Sequence, residues 1–151
     1  NALKTGLIYL HSGLRYIVLA ALLYAIIKGL QAGERKVDDK ERCPYLIAMV
    51  VAHIQLLLGL GLYFMGENGL TALDSLFDAG ASLLSSLGFF GIIHFVLMVT
   101  AITVITKAHS LAKKNATHRR VVHLMLLALL IILAAIPWPF YGYGRGFFPG
   151  T

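Results

Sequence analysis

Histidine occurs once in each of four apolar stretches of this 151-residue chain, at His11, His53, His94 and His123. A polar side chain is costly to keep inside a lipid bilayer, so an intramembrane histidine is a candidate for function. Imidazole nitrogens bind iron, copper and zinc. The pattern therefore predicts a metal or haem site held within a membrane.

The composition indicates an integral membrane protein. Hydrophobic residues make up 58% of the chain and charged residues only 13%, whereas soluble domains are about half apolar and about a quarter charged. The mean hydropathy is +0.78. Four transmembrane helices of about twenty residues each fill nearly the whole length. The sequence predicts one all-α transmembrane domain, an up-and-down four-helix bundle over residues 1–151.

The four spans are expected at about residues 7–27, 44–65, 87–106 and 121–137. Between the second and third spans, apolar residues recur at a helical spacing, at Leu70, Leu73, Leu76 and Phe77. This spacing predicts a short amphipathic helix that lies along the membrane surface. The single cysteine, Cys43, excludes an internal disulfide and a four-thiolate iron–sulfur cluster.

The basic residues predict the orientation of the chain. Ten of the thirteen Lys and Arg residues fall in residues 28–42 and 107–120, which share one side of the membrane if there are four spans. The positive-inside rule makes that side cytoplasmic and puts both termini on the periplasmic side of a bacterial inner membrane. Because the net charge of +6 follows topology, nucleic acid is not an expected partner. The expected partners are the lipid bilayer, and other membrane subunits or a second copy of the chain.

Depth along the helices predicts which histidines pair. At the α-helical rise, His11 and His94 lie roughly 6 and 9 Å inside the outer surface, on helices that are diagonal in the bundle. Two opposed imidazoles suit haem iron better than zinc, which usually takes four protein ligands. His53 and His123 lie roughly 13 and 3 Å from the cytoplasmic side. This mismatch leaves two alternatives open, one haem b or two.

Arg15 follows His11 by four residues, so both lie on the same helix face. A haem propionate would be a suitable bidentate partner for this guanidinium. Alternatively, the first span starts late and Arg15 lies among the lipid headgroups. Both interpretations remain open from the sequence.

Other polar residues have simpler interpretations. His109 and His118 are expected to be solvated surface residues, and Gln55 is expected to hydrogen-bond another helix or a quinone headgroup. A helical stripe is expected to bond its own backbone or a neighbouring helix; it consists of Thr100, Thr103 and Thr106. For the glycines near the histidines, helix packing is favoured over admission of a flat macrocycle.

Three segments resemble small bacterial four-helix membrane proteins described as cytochrome-b-like. They are LHSGLRY at residues 10–16, HIQLLLGL at residues 53–60 and IPWPF at residues 136–140, together with the histidine early in the third span. The resemblance implies haem b and electron transfer. It favours His11, His53 and His94 as functional histidines, whereas His123 rests on the depth argument alone.

Three functions are therefore considered. The first is a b-type cytochrome that passes electrons through a bis-histidine haem, between quinol and a partner subunit. The spans contain no carboxylate, which argues against a proton pump. The second is an accessory or structural subunit of a membrane complex, whose histidines bridge helices. The third is a haem-dependent porphyrinogen oxidase, for which the outer side is expected to offer too few basic residues.

Overall fold

The computed structural model describes residues 2–80 and 82–149. The helices are α1 (Ala2–Ala32), α2 (Cys43–Met65), α3 (Leu70–Ala79), α4 (Ser86–Lys113) and α5 (His118–Ala135). The helices α1, α2, α4 and α5 are each long and apolar enough to cross a membrane. The predicted all-α fold is confirmed, and the chain is a multi-pass membrane protein.

The four long helices pack in a ring. Helix α1 packs against α2 and α5, and helix α4 packs against the same two helices. Helices α1 and α4 are therefore diagonal, as the up-and-down topology predicts. Fully buried alanines such as Ala25, Ala108 and Ala128 let the backbones approach closely. Large apolar side chains face outward instead, with Leu57 69% exposed and Leu130 64% exposed, which suits contact with lipid.

Helix α1 is longer than its expected span. It runs through Arg15 without a break and begins before residue 7. Helix α2 has Pro44 in its first turn, where the missing N–H costs no helical hydrogen bond. Helix α5 ends at Ala135, just before the two prolines of the IPWPF segment, since proline cannot continue the backbone hydrogen bonding.

The short helix between the second and third spans is present as α3. It buries Ala72 and Leu76, whereas Leu70 and Phe77 of the predicted apolar set are 49% and 76% exposed. Its position along the membrane surface stays a prediction. It ends at Gly80, whose φ of 58° lies in the left-handed region. Glycine adopts this conformation without the steric penalty of a Cβ atom, which explains why the helix stops there.

The two basic linkers meet at one end of the bundle. The Val37 N–H donates to the Ala116 carbonyl at 2.9 Å, and the His118 N–H donates to the Arg35 carbonyl at 2.9 Å. An ion pair between Arg119 and Glu34 adds to these contacts. The expectation that both linkers share one side is therefore met.

Helix α4 contains one wider turn, a π-helical segment over Phe89–Ile93. This turn lies directly before His94, and it changes the direction in which the following side chains leave the helix. Such turns are often found at functional sites. The local backbone of α4 thus helps to set the orientation of the third-span histidine.

Candidate functional site

His11 and His94 meet inside the bundle. Their ring centroids lie 6.2 Å apart and the ring planes are at 77°. A metal ion between two imidazole nitrogens lies about 2 Å from each nitrogen, which puts the ring centres about 6 Å apart. The structure brings together the two histidines that the depth argument pairs. Their spacing suits one shared metal ion, and metal binding itself stays a prediction.

A hydrogen bond fixes the protonation of the His94 ring. Its Nδ1 atom lies 2.7 Å from the Ala135 carbonyl oxygen at the end of α5. Because a carbonyl oxygen can only accept, Nδ1 carries the proton and Nε2 keeps its lone pair. Metal-binding histidines commonly donate their other N–H to a carbonyl or carboxylate in this way. His94 is therefore ready to bind a metal through Nε2.

Unpaired polar atoms surround His11. Its Nδ1 atom is buried without a hydrogen-bond partner, as is the Oε1 atom of Gln55. The Gln55 amide donates through Nε2 to the His11 main-chain carbonyl at 2.8 Å, which confirms that Gln55 bonds another helix. A buried polar atom left unpaired costs about 1–3 kcal/mol. A polar group bound beside His11 could supply the missing hydrogen-bond partners of these two atoms.

Gly59 makes room for the His11 ring. A Cβ atom at position 59 would lie only 3.1 Å from Cε1 of His11. Gly88, by contrast, meets the backbone of Leu83, where a Cβ would come within 2.6 Å. Gly88 therefore allows the chain to turn tightly at the start of α4, and the backbone that it meets is not another helix, whereas Gly59 accommodates a site histidine.

The two histidines line a cavity of about 380 Å³, within the range of about 300–1,000 Å³ typical of cofactor and ligand pockets. Three cations also line it, Lys4, Arg15 and Arg145. These are the three basic residues that lie outside residues 28–42 and 107–120. Among the described lining residues the one carboxylate is Glu67, which pairs with Lys4 at 3.2 Å. Two cations remain in excess, so the cavity suits a ligand with negative groups.

Arg15 binds the C-terminal tail, which neither sequence interpretation anticipates. Its guanidinium donates to the Phe147 carbonyl at 2.6 Å and the Gly146 carbonyl at 3.2 Å, while its Nε atom is buried without a partner. The tail also brings Arg145 to the cavity, with its guanidinium 5.3 Å from the Phe90 ring centre. Sequence reasoning missed Arg145 because the glycine-rich tail has no periodic pattern.

His53 and His123 do not join this site. His53 is exposed, with its Nδ1 atom 2.8 Å from the Met49 carbonyl oxygen, and it lines a shallow groove against α4. His123 is exposed on α5 and lies outside that groove. Nowhere in residues 2–80 and 82–149 do three or more His, Cys, Asp or Glu side chains converge to hold a metal ion. The candidate site is therefore a two-histidine site.

The expectation of a solvated His118 is wrong. His118 is only 3% exposed, because the linker before α2 folds over the start of α5. Its ring lies between the Tyr45 hydroxyl, 2.6 Å from Nδ1, and the Glu41 carboxylate, 3.0 Å from Nε2. The hydrogen bond from His118, followed by that from Arg35, lowers the pKa of Glu41 from its ordinary value of 4.5 to about 2. His109, the other histidine expected to be solvated, is partly buried.

The threonine stripe of α4 behaves as expected. Each hydroxyl donates to the carbonyl four residues earlier, at distances of 2.7, 2.9 and 2.8 Å for Thr100, Thr103 and Thr106. The hydrogen-bond donors of these three hydroxyls are therefore satisfied within their own helix.

Comparisons of the chain with protein-family models, with curated proteins and with solved structures found no match. The function is accordingly argued from the geometry of this chain.

Proposed function

We propose that this chain is a membrane-embedded b-type cytochrome in which His11 and His94 hold one haem b. One observation carries the proposal: imidazoles from diagonal helices lie 6.2 Å apart beside a cavity with an excess of cations. The iron of haem b would be held by the imidazoles of His11 and His94, and its two propionates would carry negative charge into the cavity. The two imidazoles, the unpaired Nε atom of Arg15 and the positive charge of the lining fit this group. The resemblance of three sequence segments to cytochrome-b-like proteins supports the same assignment.

The residues of the site have separate roles in this proposal. His94 presents Nε2 because its Nδ1 proton is held by the Ala135 carbonyl. Gln55 positions His11 by a hydrogen bond to the His11 main-chain carbonyl. Gly59 leaves room for the His11 ring. A bound haem b supplies reversible one-electron transfer. The proposed electron donor is membrane quinol and the proposed acceptor is a partner membrane subunit.

The cations at the cavity are proposed to hold the propionates. An arginine forms paired, charge-assisted hydrogen bonds with a carboxylate, and Arg15 and Arg145 both line the cavity. Arg15 keeps a buried Nε atom without a partner, and Glu67 neutralises only Lys4. The chain thus supplies a charge for each propionate.

We place the linker end of the bundle in the cytoplasm and both termini in the periplasm of a bacterial inner membrane. The support is that ten of the thirteen Lys and Arg residues lie in residues 28–42 and 107–120, whose linkers contact each other at one end. Positive charge retains a loop on the cytoplasmic side. The cavity with its three cations then opens towards the periplasmic side.

We infer one haem and not two. His53 and His123 are both exposed, and His123 does not line the groove beside His53. Without a shared interior position, these two rings have no common iron to bind. The second bis-histidine pair is therefore left out of the proposal.

Two other functions have an observation in their favour. A structural subunit with helix-bridging histidines is favoured by the bond from His94 in α4 to Ala135 in α5, and it predicts a folded chain that never carries haem. A porphyrinogen oxidase has in its favour that three cations, Lys4, Arg15 and Arg145, line the cavity. Because Lys4 is paired with Glu67, the expected shortage of basic residues for a second tetrapyrrole stays a prediction. Oxidation of a porphyrinogen that is lost in His11→Ala would distinguish this enzyme from an electron carrier.

The decisive experiment is a reduced-minus-oxidised absorption spectrum of the detergent-purified chain after haem-replete expression. A b-type α band at one haem per chain is expected. A featureless spectrum would remove the cytochrome proposal and leave the structural subunit. An α band at two haems per chain would contradict the single-haem inference.

A further inference from the structure

A second cavity lies between α2 and α4 on the outer face of the bundle. It is an open groove of about 470 Å³, with His53 on one wall and Thr106 and Lys107 on the other. Leu56, Val99 and Ile102 line both this groove and the His11–His94 cavity. One layer of side chains therefore separates the two.

The ring of His53 offers an unusual group to the membrane. Its Nδ1 atom bonds the Met49 carbonyl, so Nδ1 is the donor and Nε2 of the neutral ring can only accept. Nε2 makes no hydrogen bond to any part of the chain that the structure describes. A polar atom that meets hydrocarbon without a partner is costly. A ligand that donates a hydrogen bond to Nε2 would therefore be stabilised in this groove.

The depth of His53 limits the source of that donor. His53 lies ten residues after Cys43, where α2 begins, which is roughly 15 Å along the helix. The hydrocarbon core of a bilayer is about 30 Å thick, so this depth is nearer its middle than its surface. Water and lipid headgroups are scarce there. The ligand must carry its O–H group into the acyl region.

The opposite wall of the groove supplies a donor. Lys107 is exposed and lies one helical turn beyond Thr103. Its ammonium can donate to a second oxygen atom on the ligand. The Thr106 hydroxyl already donates to the Ile102 carbonyl, so it can only accept from a ligand. The groove therefore presents an acceptor at His53 and a donor at Lys107, on either side of an apolar floor.

We propose that this groove binds quinol, the reduced form of the lipid-soluble quinone carriers. One hydroxyl of the quinol ring donates to Nε2 of His53, and the second ring oxygen faces Lys107. The oxidised quinone has only acceptor oxygens, and so has a lipid phosphate, so neither can satisfy the neutral His53 ring. The use of this quinol as an electron donor rests on the proposed function, whereas its binding does not.

The test measures binding without electron transfer. The full-length chain, as purified, is placed in phosphatidylcholine nanodiscs and titrated with decylubiquinol in dithionite or with decylubiquinone in ferricyanide. Dithionite keeps both the probe and any haem reduced, and ferricyanide keeps both oxidised. Empty nanodiscs give the background. We expect decylubiquinol to bind at least tenfold more tightly than decylubiquinone, and to shift the ¹⁵N resonance of the His53 Nε2 atom.

Three variants make the test specific. His53→Leu should weaken decylubiquinol binding at least tenfold. His123→Leu is the matched control, because it also removes one exposed histidine from an apolar helix, and it should bind like the wild type. His53→Gln keeps an amide that can accept or donate, so it should narrow the preference for the reduced probe, and it carries the test if His53→Leu does not fold.

Two results would overturn the quinol site. They are equal binding of decylubiquinol by the wild type and His53→Leu, and tighter binding of the oxidised probe than of the reduced probe. The haem α band of His53→Leu shows whether the substitution disturbs the proposed haem site as well as the quinol groove. Quinol binding in a chain without haem would refute the cytochrome and retain the groove.

Discussion

The surroundings of His94 determine which nitrogen it can offer. The bond to the Ala135 carbonyl occupies Nδ1, so Nε2 is the nitrogen that this ring can offer at the cavity it shares with His11. His94→Ala removes one of the two proposed axial ligands, so we expect haem per chain to fall at least tenfold relative to the wild type. Haem is measured as the pyridine haemochrome of the purified protein. His123→Ala is the control and should retain full haem, and full haem in His94→Ala would refute the pairing.

The Tyr45 hydroxyl stabilises the other end of the bundle. Tyr45 is 1% exposed and its hydroxyl lies 2.6 Å from Nδ1 of His118. Tyr45→Phe leaves that buried nitrogen without a partner, which costs about 1–3 kcal/mol in the free energy of unfolding. Denaturant unfolding in mixed micelles measures the difference. Tyr9→Phe is the control, because Tyr9 is 48% exposed, and it should leave stability nearly unchanged.

At the scale of helix pairs, the contact between α1 and α2 depends on a glycine. Valine at position 59 would push the His11 ring from its place, since even a Cβ atom lies 3.1 Å from Cε1. We expect Gly59→Val to lower haem per chain at least fivefold. Gly61→Val is matched in residue type and helix, and a Cβ at position 61 has nothing within 4 Å, so it should keep its haem. Equal haem in both variants would show that Gly59 is not needed for the site.

The linker before α2 is held against α5 by a carboxylate. His118 and Arg35 lower the pKa of Glu41 from 4.5 to about 2. Because the pKa is lower in the folded protein, this carboxylate stabilises the fold fully above about pH 4.5, and the contribution is lost as the pH falls towards 2. The Tm difference between the wild type and Glu41→Gln should therefore be largest above pH 4.5 and shrink in acid. A difference that does not change with pH would contradict this coupling.

The elements themselves are predictable where the signal is local. The apolar run of α2 contains no charge, and the spacing of Leu70 and Leu76 marks α3. The length of α1 is not predictable in this way, because Arg15 interrupts its apolar run. One nitrogen of its guanidinium donates to carbonyls more than 130 positions later in the chain. No local pattern reveals such a partner.

At the scale of the whole molecule, the charges divide into two groups. Ten basic residues lie in residues 28–42 and 107–120, and the other three line the cavity with the paired histidines. The first group is the basis of the proposed orientation, by the positive-inside rule. The second group has no role in that rule and is concentrated around one cavity. This division is the reason to interpret the three cations as part of a binding site.

The site was only partly predictable from the sequence. The levels of His11 and His94 follow from the helical rise, so their approach could be expected. Arg145 and the burial of His118 could not, since each depends on how a non-helical segment folds back over a helix end. Depth along a helix also cannot separate an inward histidine from an outward one. His53 shows this, because its place in the outer groove follows from its helix face and not from its level.

The proposed orientation can be tested with the chain's single cysteine. Cys43 is exposed at the start of α2, at the linker end of the bundle. If that end is cytoplasmic, a membrane-impermeant maleimide should not label Cys43 in intact spheroplasts but should label it in inverted vesicles. The control places the cysteine at the opposite end, as Asp78→Cys on α3 in a Cys43→Ser background, and the labelling should reverse. Labelling of Cys43 from outside would invert the topology and would turn the cavity with its three cations towards the cytoplasm.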